Sequence, residues 1–202
     1  MYYNEENRII LVTILISHIK LLFLDSKEKE FFYFVKHQLG FTPNNIFYYK
    51  KALTHKSAAI KNNEGFYVSN ERLEFLGDSV LDSVLSEYLF NKYPNKDEGF
   101  LTQMRSKIVN RKSLNDIALS FRLNNYIIAN RLRMDSNNAL GNAFEALVGA
   151  VYLDKGYEFT KHFIVTKVVE KNYDFNFLEK VDTNFKSRLI EFTQKQKHNL
   201  LF

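Results

Sequence analysis

Apolar and polar positions along this chain predict a succession of helices. Asp25-Ser-Lys-Glu28 has the form of a helix start, with Asp25 as cap and Glu28 placed to complete a capping box. That helix would run through Phe31–Leu39 and stop at Gly40, a residue suited to the left-handed turn after a last helical residue. Thr42-Pro43 predicts the next start, with proline at the first helical position and Ile46, Phe47, Ala52 and Leu53 following. Residues 61–67 read as a loop. Ser69-Asn70 then caps a long helix reaching about Lys92. Residues 94–99 predict a turn, 102–110 and 113–121 two helices, 131–138 a polar loop, and 143–153 a helix ending near Gly156. Another helix is expected over 159–171, a linker over 176–183 and a last helix over 184–197. No segment alternates strictly, as a half-buried strand does, so the expected fold class is all-α.

The N-terminal stretch Ile9 to Ile16 is apolar apart from Thr13, and Ser17, His18 and Lys20 interrupt it before Leu21. It falls far short of the roughly 18 apolar residues needed to cross a bilayer. It also lacks the basic start and small-residue cleavage site of a signal peptide. A helical extension over residues 1–19 is expected, with no membrane partner.

Composition narrows the class. Hydrophobic residues are 46% and aromatics 15% of the 202 residues, which suits a chain that buries a core. Only 7 glycines and 2 prolines disfavour a turn-rich β architecture. The net charge of +5 admits a polyanionic partner without requiring one. There are no cysteines, which excludes disulfides and thiolate chemistry and fits a reducing, cytoplasmic setting.

The long central helix carries the candidate chemistry. Helical periodicity puts Glu71, Glu74, Asp78 and Asp82 on one face and Leu73, Leu76, Val80 and Val84 on the other. Like charges at these spacings repel, so the acidic face is either simply solvated or serves a purpose that repays the repulsion. Phe75 lies among the carboxylates, and a large aromatic there points to a covered face. Asn142 and Glu145 share one side of a later helix, opposite Phe144, Leu147, Val148 and Val151. Gly149 lies near that side, where its missing side chain would let another helix approach. If the two helices cross there, Glu74, Asp78, Asn142 and Glu145 would surround one hard cation. Magnesium favours such oxygen ligands, and hydrolysis of a phosphodiester is chemistry it supports. Spacing alone does not make the helices meet.

Four segments then resemble the ribonuclease III family. Asn70-Glu-Arg-Leu-Glu-Phe-Leu-Gly-Asp78 resembles its signature, and Asn142-Ala-Phe-Glu-Ala-Leu-Val-Gly-Ala-Val-Tyr-Leu-Asp154 its second catalytic segment. Glu98-Gly-Phe-Leu-Thr102, followed by Arg105-Ser106, and Leu53-Thr-His-Lys-Ser57 are similar to two further motifs. The resemblance implies a homodimeric all-α nuclease domain over residues 20–174 that hydrolyses double-stranded RNA, leaving 5′-phosphates and short 3′ overhangs, in the processing of ribosomal and other RNA. It implies Mg2+, with Mn2+ as a substitute, held by Glu74, Asp78, Asn142 and Glu145, of which Asp78 and Glu145 are catalytic. It gives Glu71 and Glu98 assisting roles and Phe75 a place in the dimer interface. Arg105, Lys107, Arg111 and Lys112 are expected to meet the RNA backbone, whose A-form shape is read through phosphates and 2′-hydroxyls.

Two departures from the family pattern stand out. Asn142 occupies a position that is usually aspartate, keeping a carbonyl oxygen but no charge. Weaker metal binding is expected. Residues 182–192 resemble the first helix of a double-stranded RNA-binding domain, so 175–202 reads as a linker and the opening helix of an incomplete one. The competing expectation is a weak or inactive RNA-binding member of the same fold. Retention of Glu74, Asp78 and Glu145 argues for the enzyme.

Overall fold

The computed structural model describes residues 25–130, 136–180 and Thr193. The expected N-terminal extension lies outside them, as does the helix expected over 184–197 apart from Thr193. The fold is all-α, as expected. Helix α1 (Ser26–Leu39) begins where Asp25 Oδ1 accepts from the Glu28 N–H at 2.7 Å and ends at Gly40 with φ of 81°. Helix α2 spans Ile46–Ala52, so Thr42-Pro43 does not open it. The Asp154 carboxylate accepts from the main-chain N–H groups of Asn44 and Asn45, and the Asn45 side chain caps the helix. A long-range contact thus replaces the local start signal.

The segment expected as a loop forms a small antiparallel hairpin of β1 (Ile60–Lys61) and β2 (Tyr67–Val68). Helix α3 (Glu71–Lys92) follows. Helix α4 (Glu98–Val109) starts four residues before the expected Thr102, because Asp97 Oδ1 caps it by accepting from the Phe100 N–H. Helix α5 (Arg111–Ser120) is capped by Asn110 in the same way. Helix α6 (Ser136–Lys155) begins inside the expected polar loop. Helix α7 (Tyr157–Phe163) continues through a π-helical stretch at Ile164–Val169 to Asn172. Helix α8 (Phe175–Lys180) occupies what was expected as the start of a linker. Phe175 packs near Tyr88 and Tyr93, so the folded body continues through α8.

Helix α6 is the central element. It packs along α3 and also meets α5 and α2. Leu73, Val80 and Val84 of α3 are buried, as are Phe144, Leu147, Val148 and Val151 of α6, while Leu76 is half-buried. The two helices meet through glycines. A Cβ added to Gly77 would lie 1.7 Å from the Glu145 carbonyl oxygen, and one added to Gly149 would lie 2.4 Å from that of Leu73. Both distances are impossible contacts, so only glycine permits this crossing. The close approach inferred from Gly149 is present, and Gly77 is its counterpart. Among the described residues no helix is long and apolar enough to cross a membrane.

Candidate active site

The glycine crossing seats Glu145 of α6 against the turn of α3 that carries Glu74 and Asp78. These three carboxylates line one open pocket with Glu71, Phe75 and Asn142. His55, Lys56, Asn70 and Arg111 complete its lining. The acidic face of α3 is therefore not merely solvated.

Crowded carboxylates in a half-buried site resist ionisation. Burial, followed by the charges of Asp78 and Glu74, pushes the Glu145 carboxyl up to about 7; Arg111 acts against this. Burial and neighbouring Glu71 raise the Glu74 carboxyl, while Arg111, Lys56 and a hydrogen bond from Asn142 lower it. Burial and Asp82 raise Asp78. The donor set, three crowded carboxylates and an amide, has the chemistry a hard divalent cation requires. Its geometry is not closed. Among the described residues, no three carboxylate or imidazole side chains converge as a ready-made metal site. Asn142 is already engaged: its Oδ1 accepts from Arg111 Nη1 at 2.6 Å, and its amide serves Glu74.

The other expected site residues divide sharply. Glu71 borders the pocket, with Oε1 3.7 Å from Lys56 Nζ. Phe75 stands at the pocket edge and is 79% exposed. Glu98 lies outside the pocket lining, in the first turn of α4, where its carboxylate accepts from the Thr102 hydroxyl. Arg105 is also outside, donating to Ser86 Oγ at 2.7 Å and lying 3.9 Å from Asp82. Lys107 corrects the expectation of RNA contact. It is buried, and its Nζ donates to the Leu178 carbonyl of α8 at 2.9 Å. Burial of its ammonium ties α8 to α4 rather than meeting solvent. Lys112 is exposed at the start of α5, beyond the pocket lining.

The pattern of polar and apolar positions gives no site role to His55, Lys56 or Asn70. The signal was nonetheless present, because His55 and Lys56 sit within Leu53-Thr-His-Lys-Ser57. This segment is stitched into place by main-chain bonds from His55 to Ile128 and from Asn70 to Thr54. His55 Nδ1 in turn accepts from the Ser57 N–H. These bonds hold Lys56 at the mouth of the pocket.

Known proteins share this framework. A family model described as Ribonuclease-III-like matches residues 45–172. Ribonuclease 3 of Azobacteroides pseudotrichonymphae is 42% identical over 177 residues, covering 88% of this chain and 68% of that protein. Ribonuclease 3 of Bacteroides fragilis is 43% identical over 189 residues, covering 93% of this chain and 64% of that protein. The chain thus spans about two thirds of the length of the curated relatives it matches. A solved nuclease domain of ribonuclease III from Campylobacter jejuni superposes with a TM-score of 0.62 at 36% identity, covering 69% of this chain and 96% of that one. That structure was described for flexibility in a region involved in dimer formation. A second structure of the same domain gives a TM-score of 0.62 at 34% identity. With three of its four motifs lining one pocket and this likeness extending over most of its length, the chain belongs to the ribonuclease III family.

Proposed function

We propose that this chain is a metal-dependent endoribonuclease that hydrolyses phosphodiester bonds of double-stranded RNA. The observation that carries the reading is the seating of Glu145 beside Glu74 and Asp78 through Gly77 and Gly149, in a chain of this family. Glu74, Asp78 and Glu145, with Asn142, are the residues that would hold the ion. Magnesium is favoured by the all-oxygen donor set, and manganese can replace it in such sites. When bound, the ion supplies Lewis-acid polarisation of the phosphate. Water oxygen then bonds to phosphorus as the bond to the 3′-oxygen breaks, giving a 5′-phosphate and a 3′-hydroxyl. Asp78 and Glu145 carry most of this chemistry, and Glu71 shapes the approach. Lys56 and Arg111 supply positive charge at the pocket for the RNA backbone.

Phe75 supports a homodimer. A phenylalanine this exposed on an otherwise acidic face suits burial against a second copy, and two pockets brought together would face the two strands of a duplex. Ribosomal and other RNA precursors are the substrate class, and the cytoplasm is the setting. Residues beyond α8 would belong to the opening of a double-stranded RNA-binding domain.

Incubation with a long RNA duplex and Mg2+ tests this reading. Cleavage to short duplexes with 5′-phosphate ends is expected, with none in EDTA and little on single-stranded RNA. Duplex binding without cleavage would support a non-catalytic RNA-binding role instead, which the incompletely converged donor set would then explain.

A further inference from the structure

Arg111 is an unusual neighbour for a cation site. It is the first residue of α5, yet its guanidinium reaches Asn142 of α6, 31 positions away in sequence. Gly141 packs closely on α5 beside that reach, where an added Cβ would press on Asn115 Oδ1 at 3.2 Å. A Cβ at 141 would lie 3.3 Å from Leu114 Cβ and 3.7 Å from Arg111 Nη1. The Gly141 N–H also donates to Asn115 Oδ1 at 2.8 Å, which docks α6 on α5 at this point.

Asn142 joins two unlike neighbours. An amide has an acceptor end and a donor end; here the oxygen takes Arg111 and the nitrogen serves the Glu74 carboxylate. Aspartate could satisfy only the first partner and would repel the second. The chain Arg111–Asn142–Glu74 is therefore matched to asparagine. It also takes one of the two lone pairs on the Asn142 oxygen, the atom able to ligate a cation, and it places a permanent positive charge beside the carboxylates.

We propose that Arg111 is a positioning residue that latches the site in a metal-free arrangement: it engages the Asn142 oxygen that would face the ion, and a divalent cation binds well only as the guanidinium lets go. This rests on the metal-site reading above. Arg111 is exposed, so its released arm can extend into solvent without leaving a buried charge unpaired. The latch costs metal affinity, because the cation must compete for the Asn142 oxygen and bear the nearby charge.

Calorimetric titration of Mn2+ into the RNA-free protein tests the latch, using the parent, R111A, R111M and E145Q. R111M keeps the aliphatic stem and reads the same effect should R111A fold poorly; circular dichroism checks both folds. The latch predicts Mn2+ binding about five- to tenfold tighter in folded R111A or R111M than in the parent, with binding lost in E145Q. It also predicts that N142D tightens binding more in the R111M background than alone, because Arg111 would otherwise pair with the new carboxylate. Binding seen only in the arginine variants would support the latch in its strongest form. Equal or weaker Mn2+ affinity in both arginine variants, with the parent binding, would overturn the latch and leave the metal site standing. Absence of Mn2+ binding in the parent and both arginine variants would overturn the metal-site reading, and the latch with it.

Discussion

The floor and the rim of the pocket are built on different principles. The floor is fixed by main chain against main chain: Gly77 and Gly149 bring α3 and α6 so close that the backbones carrying Glu145, Glu74 and Asp78 have one relative placement. The rim is held by side chains in reach of solvent. Arg111, Lys56 and Asn142 touch the carboxylates through single hydrogen bonds and distant charge, and Phe75 touches little. A close-packed crossing transmits any added volume as strain, whereas an exposed polar contact contributes little to stability. The floor should therefore set whether the site exists, and the rim how it responds to ions, RNA and a partner subunit.

The largest effect is expected at the floor. Gly77→Ala must push α6 off α3 and should destabilise the fold by ~3 kcal/mol or more, a fall in Tm on the order of 6–12 °C for a domain of this size. Differential scanning calorimetry reads this directly, and an unchanged Tm would mean that the crossing is slack. Gly149→Ala should act in the same direction with a smaller effect.

A smaller effect comes from the crowded charges. In the folded chain the Glu145 carboxyl titrates at about 7, above its ordinary 4.5. A carboxyl raised on folding favours the protonated fold, so its stabilising contribution is complete below about 4.5 and disappears as pH rises through about 7. Glu74 and Asp78 are shifted in the same direction. In EDTA the parent should therefore lose Tm relative to Glu145→Gln as pH rises from 5 to 7.5. A difference in Tm that stays flat across that interval would contradict the crowding.

The smallest effect on the fold belongs to the rim. Phe75→Ala should alter the stability of the isolated subunit by no more than about 0.5 kcal/mol, since the ring is already exposed. Sedimentation equilibrium should nevertheless show weaker self-association. Dimerisation unchanged in the variant would remove Phe75 from the interface.

The same division explains what could be read from sequence. Helix α1 was legible because its cap and stop, Asp25 and Gly40, act locally. The carboxylate face of α3 was legible because helical periodicity alone sorts Glu74 and Asp78 from Leu73 and Val84. The start of α2 was not, because Asp154, more than a hundred residues away, holds Asn44 and Asn45. Lys107 looked like a surface cation; only the Leu178 carbonyl of α8 explains its burial. Glu98 and Arg105 belong to a recognisable motif, yet neither lines the pocket. The link from Arg111 through Asn142 to Glu74 depends on three helices meeting, and no spacing in the chain announces it.

The central claim is that the carboxylates seated by the α3–α6 crossing perform the cleavage. Single-turnover cleavage of an RNA duplex in Mg2+ by the parent, Asp78→Asn and Glu145→Gln, with duplex binding measured alongside, tests it most directly. The account predicts at least a hundredfold loss of rate in each variant, equivalent to roughly 2.7 kcal/mol of transition-state stabilisation, with duplex binding retained. Cleavage at the parental rate in both folded variants would contradict it.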